Sequence, residues 1–349
     1  MNFTEDDLRW AAAEGIITGE QAEALRAAFE ARGADRARFD LAHVAYYFGA
    51  LVVISAMGWF MTLGWESLGG AGLFALSSLY ALLFALAGRT LWFRENLRTP
   101  GGLLFTLAVW MTPLAVYGLE RALGLWPQGD APASFRDYHV YVKGCWLLME
   151  AATVVASLVA LRFVRFPFLT FPAAFSLWYM SMDLTPLLFG QYEFTWDERL
   201  WVSAVFGLLM LVAAFLIDRR TREDYAFWLY LFGAAAFWGG LSLMDSGSEM
   251  GKFIYCLVNV GLILVSVLLE RRVLTVFGAL GVAGYLGHLS YRVFSDSLLF
   301  PVVLSLIGVG IIYLGIKYQR NRERLGRALR ALVPEALRRA LPQERAGGV

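Results

Sequence analysis

The chain has 349 residues, of which 58% are hydrophobic and 15% aromatic but only 17% charged, with a net charge of +1. Its mean hydropathy of +0.56 argues against a soluble two-domain protein of this length. Two cysteines, Cys145 and Cys256, exclude a disulfide framework and a cysteine metal cluster, and both read as small buried side chains inside apolar spans.

Residues 1–40 are charged and contain no signal-peptide core, so the first apolar span reads as uncleaved. Thr4 with Asp7, and Thr18 with Gln21, have the spacing of capping boxes, in which a hydroxyl meets an orphan amide and the third residue reaches back. Gly15-Ile16-Ile17 between them predicts a helical hairpin, with Trp10 pointing away from Leu8, Ala11 and Ala12. Such a hairpin is too small to bury much core alone and needs a second surface.

From Leu41 to Tyr318 the chain is a series of apolar runs, each long enough to cross a hydrocarbon layer about 30 Å thick as a helix. Backbone polar groups in lipid must be satisfied internally, so these runs predict an all-α polytopic bundle. The expected spans are roughly 41–63, 69–88, 101–120, 143–162, 167–187, 198–217, 225–244, 252–269, 273–291 and 297–317, with a short turn at Gly64-Trp65-Glu66-Ser67. With both termini cytoplasmic, 24 of the 30 Lys and Arg fall on the inner side: five before the first span, nine from Lys317 onward and ten in the inner connections. The outer side keeps six. That bias is the one expected of an inner-membrane protein. The organisation predicted is a cytosolic hairpin at 1–40, a transmembrane domain at 41–318 and a basic tail at 319–349.

Phe48-Gly49-Ala50, Phe232-Gly233-Ala234 and Phe277-Gly278-Ala279 each open a span running from inside to outside, and each hairpin returns to an arginine about forty residues later. This pattern fits either a duplicated hairpin or shared membrane composition. In the tail, Leu325, Leu329, Leu332, Val333, Leu337 and Leu341 form an apolar stripe amid six arginines. A basic amphipathic segment of this kind reads as lying on anionic lipid.

The residues Trp10-(x)4-Gly15-Ile16-Ile17-Thr18-(x)2-Gln21-Ala22-(x)2-Leu25, the run Gly49-Ala50-Leu51-Val52-Val53-Ile54 and the later Gly64-Trp65-Glu66 resemble the opening of a prokaryotic family. That family of multi-spanning membrane proteins is known only as a domain of unknown function. The resemblance covers about residues 5–90, and the family's turn has Asn where this chain has Gly64. It implies a cytosolic helical pair followed by many spans, and no activity.

No nucleotide-binding, zinc, haem or triad motif is present, nothing points to nucleic acid, and three histidines are too scattered for a metal cluster. Neither a catalytic residue nor a cofactor is assigned. The informative signal is polar spacing inside spans. Lys143, Trp146, Glu150, Thr153 and Ser157 recur at steps of 3, 4, 3 and 4, which places them on one helical face. A charge near midplane costs about 2.5–3.5 kcal/mol, so Glu150 should face protein or water. Glu120, Asp183, Tyr285, His288 and Arg292 fall in the outer half of their spans, with Asn259 just below them. They read either as one outward-facing polar cavity floored by Glu150 or as separate interhelical hydrogen bonds. Three function classes follow: a small-solute or ion translocator using that cavity as a proton or cation site; a sensor or scaffold that self-associates or binds a partner through residues 1–40; and an enzyme on a lipid-linked substrate, with His288 as acid or base. The translocator leads and the scaffold is second. A single histidine in the outer halves of the spans and no nucleophile motif weigh against the enzyme.

Overall fold

The computed structural model describes residues 5–33, 41–125, 146–189, 195–221, 223–245 and 247–294. Beyond these it describes 302, 305–306, 308–310, 312–313, 316–317 and 320–321. The Thr4–Asp7 capping box, Lys143, the Arg292 side chain and the tail from 322 onward lie outside the described residues. Among those described, the regular structure is helical and contains no strand. The chain divides into two compact units, Met1–Val53 and Ile54–Val349.

The first unit holds α1 (Glu5–Ala13), α2 (Gly19–Gly33) and the start of α3 (Leu41–Arg89). Gly15 has φ +69°. The amides of Ile16 and Ile17 fold back on the Ala11 carbonyl at 2.9 and 3.3 Å, closing α1. At the start of α2 the Gln21 amide donates to Thr18 Oγ1 at 3.2 Å, and the Thr18 amide donates to Gln21 Oε1 at 2.9 Å. The predicted capping box is therefore formed. Trp10 is 59% exposed and Ile16 64%.

In the second unit α3 continues through residues 64–67, where the sequence suggested a turn. The break comes instead at Gly69, with φ +60° and ψ −176°. Only glycine reaches that region without strain, so the backbone breaks there and the polar residues nearby do not decide it. The segment after Gly69 packs on α4 (Arg98–Trp110) and α5 (Thr112–Ala122). At Gly118 a Cβ would lie 2.5 Å from the Phe74 amide nitrogen. A short π-helix, Thr90–Arg94, links α3 to α4, and the bend at Met111 between α4 and α5 precedes Pro113, which has no amide to continue the ladder.

The remaining helices are α6 (Trp146–Phe163), α7 (Thr170–Phe189), α8 (Trp196–Asp218), α9 (Phe227–Leu243), α10 (Glu249–Leu269) and α11 (Arg272–Phe294), with a 3-10 turn at Pro167–Leu169. The described residues from 302 to 321 are helical too. Six helical stretches among the described residues are long and apolar enough to cross a membrane: Leu68–Arg94, Arg98–Ala122, Trp146–Phe163, Trp196–Asp218, Glu249–Leu269 and Arg272–Ser290.

Their faces are sorted for lipid rather than water. On α6, Trp146, Glu150, Thr153 and Ser157 are buried while Leu148, Val155, Leu158 and Val159 are exposed. On α8, Ser203, Ala204, Gly207 and Ala214 point inward while Val205, Leu208, Leu209 and Val212 point out. Small and polar side chains at helix contacts, with large apolar ones outside, are the arrangement of a bundle in hydrocarbon. α8 and α9 pack closely, so that a Cβ on Gly207 would fall 2.3 Å from the Phe237 amide nitrogen and one on Gly240 would fall 2.7 Å from the Leu200 carbonyl. Around it lies an aromatic block in which Phe171 meets Trp228 at 4.5 Å, Phe175 meets Phe232 at 5.6 Å and Trp110 meets both Phe171 and Phe175 at 5.3 Å.

Candidate functional site

Three polar groupings lie inside the second unit. The first joins α6 and α7. Thr153 Oγ1 turns back to its own helix and donates to the Met149 carbonyl at 2.7 Å, leaving Glu150 to face the neighbouring helix. The carboxyl groups of Glu150 and Asp183 are near neighbours, and the charge of Arg199 on α8 reaches Asp183. Among the described residues no donor reaches either Glu150 oxygen or Asp183 Oδ2. A proton held between the two carboxyls is the one donor this arrangement can supply to itself. Beside them lies a cavity of about 180 Å³, walled by Trp110, Pro113, Phe175 and Tyr179 and reached by Glu150, Thr153 and Ser176. Buried polar atoms without protein partners are the usual lodging of water or an ion.

The second grouping is a cleft of about 830 Å³ where the start of α8, the end of α9, the start of α10 and the end of α11 come together. Successive antiparallel helices bring those four ends to one side. Asp197, Trp201, Trp238, Ser242, Asp245, Lys252, Tyr255, Tyr285 and His288 line it. Ser242 Oγ and the Tyr255 hydroxyl are hydrogen-bonded at 2.7 Å. Lys252 Nζ donates to Glu249 Oε1 at 3.2 Å and lies 3.1 Å from His288 Nε2, which is itself 3.6 Å from Glu249 Oε1.

The third grouping closes the opposite ends of the same helices. α10 stops at Glu270, which has φ +55°, and the amides of Glu270 and Arg271 both donate to the Ser266 carbonyl. Ser266 is also hydrogen-bonded to Thr275 of α11. This turn sends Arg271 inward. Its Nη2 and Nε donate to the two oxygens of Asp218 at 2.5 and 3.1 Å, and its Nη1 donates to Asp224 Oδ1 at 2.7 Å. The guanidinium stands 5.1 Å from the centre of the buried Tyr230 ring. Burial alone would lower the Arg271 pKa, but the hydrogen bonds and charges of Asp218 and Asp224 outweigh it and the pKa rises.

Of the residues singled out from sequence, Glu150 and Asp183 are brought together, and so are Tyr285 and His288. Glu150 lines the smaller cavity and Asp183 stands beside it, whereas Tyr285 and His288 line the larger cleft. Glu120 is buried on α5 with Oε2 unpartnered among the described residues. Asn259 is fully buried between α10 and α11. Its Nδ2 donates to the Tyr255 carbonyl, and it fills the space above Gly278 and Gly281. Neither Glu120 nor Asn259 lines either cavity. Among the described residues no group of three or more His, Cys, Asp or Glu is placed to hold a metal.

Sequence reasoning missed Asp218, Asp224 and the cleft residues Asp197, Ser242 and Asp245. Asp197, Asp218 and Asp245 stand at or next to helix ends and Asp224 in a connection, where a charge reads as solvated, while Ser242 is an ordinary small polar residue of an apolar helix. The available signal was topological: alternating helices gather those ends on one side. Comparison with family models, curated proteins and solved structures finds no match.

Proposed function

We propose that the chain is a ten-span protein of a bacterial cytoplasmic membrane, with both termini cytoplasmic, that translocates a small solute or ion. The Glu150–Asp183 pair carries this reading. Two adjoining carboxyls in a helix bundle, three of whose four oxygens lack a donor among the described residues, beside a largely apolar cavity, are costly as architecture and suited to loading and releasing a proton or cation. The 24-to-6 split of basic residues supports the orientation. The tail, on this reading, rests on anionic lipid, and the opening residues make the chain a member of the family they resemble.

The test is thiol labelling of Glu150→Cys and Ser176→Cys in a background lacking Cys145 and Cys256, using a membrane-impermeant reagent on intact cells. Labelling of both is expected. A folded Glu150→Cys chain that stays unlabelled would remove the water path and with it this reading.

A second reading is favoured by the exposed Trp10 and Ile16 of the first unit. There the α1–α2 hairpin binds a second copy or another protein and the spans serve as its anchor.

A further inference from the structure

We infer that the cleft at the ends of α8–α11 binds an organic cation, a positively charged ammonium-type group on an apolar body. This names a solute class for the translocation reading and rests on that reading only for movement; binding itself stands apart from it.

Four observations converge. First, the size of about 830 Å³ falls within the roughly 300–1,000 Å³ of small-molecule sites. Second, the walls carry four aromatic rings, Trp201, Trp238, Tyr255 and Tyr285, on all four helices, with Leu241, Ile254, Val258 and Leu280 filling between them. Aromatic faces attract cations through the ring quadrupole, most strongly where water is excluded. The Ser242 hydrogen bond holds the Tyr255 ring in place before any ligand arrives.

Third, the charge balance is negative. Asp197 and Asp245 line the cleft, while its two basic groups, Lys252 and His288, are both drawn to Glu249. Of the lining residues, two carboxylates stand against one lysine and one histidine, and the Glu249 carboxylate, outside the lining, offsets Lys252. Asp245 Oδ1 accepts from the exposed Gly247 amide at 3.0 Å, and among the described residues its other oxygen has no donor. Fourth, the Trp238 indole N–H is buried in this wall without a partner among the described residues. That N–H calls for an acceptor, a water or a polar atom on the ligand's body, which a purely hydrocarbon occupant cannot supply. An anionic solute would meet the acidic rim, and a lipid tail would leave the carboxylates unused.

The experiment compares two probes of the same shape and opposite charge, tetraphenylphosphonium and tetraphenylborate. Equilibrium binding is measured on the full chain in nanodiscs of zwitterionic lipid, with empty nanodiscs subtracted. Saturable binding of the phosphonium, at least about tenfold tighter than of the borate, is expected. Asp197→Asn with Asp245→Asn should weaken the phosphonium about tenfold, and Lys252→Gln, which removes a positive charge from the lining, should tighten it. Equal affinity for both probes would identify a lipid groove and overturn the proposal. So would the absence of saturable phosphonium binding to the unaltered chain, or a folded double asparagine variant that binds as well as the original. Phosphonium binding with an unlabelled Glu150→Cys would leave this inference standing while the translocation reading fails.

Discussion

Arg271 ties three parts of the second unit together through one buried guanidinium. It satisfies the buried Asp218 with two hydrogen bonds and reaches Asp224, which is 44% exposed. Removing one member of a buried pair strands the other charge, at a cost of about 3–5 kcal/mol, so Arg271→Met should lower the thermal midpoint of the purified chain sharply. Asp224→Asn should cost under about 1 kcal/mol, because an exposed partner is screened by water. Similar midpoints for the two variants would show that the arginine is not an anchor. In the sequence Arg271 and Arg272 look alike, as two positive charges marking an inner loop. What separates them is the direction in which Glu270 turns the chain, which hydropathy and charge counts do not encode. Glu150 was legible because a lone acid in an apolar run is conspicuous. Its neighbour Asp183 was legible as a residue and not as a partner, since their meeting depends on the rotation of two helices.

At the scale of elements, contact glycines separate from merely helical ones. Gly207 faces the α9 backbone, whereas nothing lies within 4 Å of where a Cβ on Gly239 would be. Gly207→Ala should force α8 and α9 apart and destabilise by about 1–3 kcal/mol, while Gly239→Ala should be neutral or slightly stabilising in the same thermal assay. Equal effects would mean that the α8–α9 contact does not set the packing. Two of the three Phe-Gly-Ala triplets carry such a glycine: Gly233 and Gly278 each lie against the preceding helix, while Gly49 has nothing within 4 Å. Element type was readable across most of the described residues, because the apolar runs were long and the Thr18–Gln21 cap is a local signal. The break in α3 was expected at Gly64–Ser67, a stretch that the helix in fact carries through. The glycine pair at 69–70 was the better signal, since a positive φ is what a helix cannot absorb elsewhere.

For the whole molecule, the ten-span reading predicts sidedness. Alkaline phosphatase fused after Leu125 or after Gly247 should be active outside the cytoplasm, and fused after Thr221 or after Glu270 it should be inactive. The reverse pattern would invert the topology. The all-helical membrane character could be read from composition because it sums over hundreds of residues. The division of polar residues between two cavities could not, because spans nearby in sequence need not line the same space. One further consequence follows from Arg271 tying α8, the α8–α9 connection and the start of α11 together at the end opposite the cleft. These helices are lever arms of about 30 Å, so a tilt of roughly 10° about the tied end displaces the free end by about 5 Å. A tilt of that size would change the mouth of the cleft by about the width of an aromatic ring.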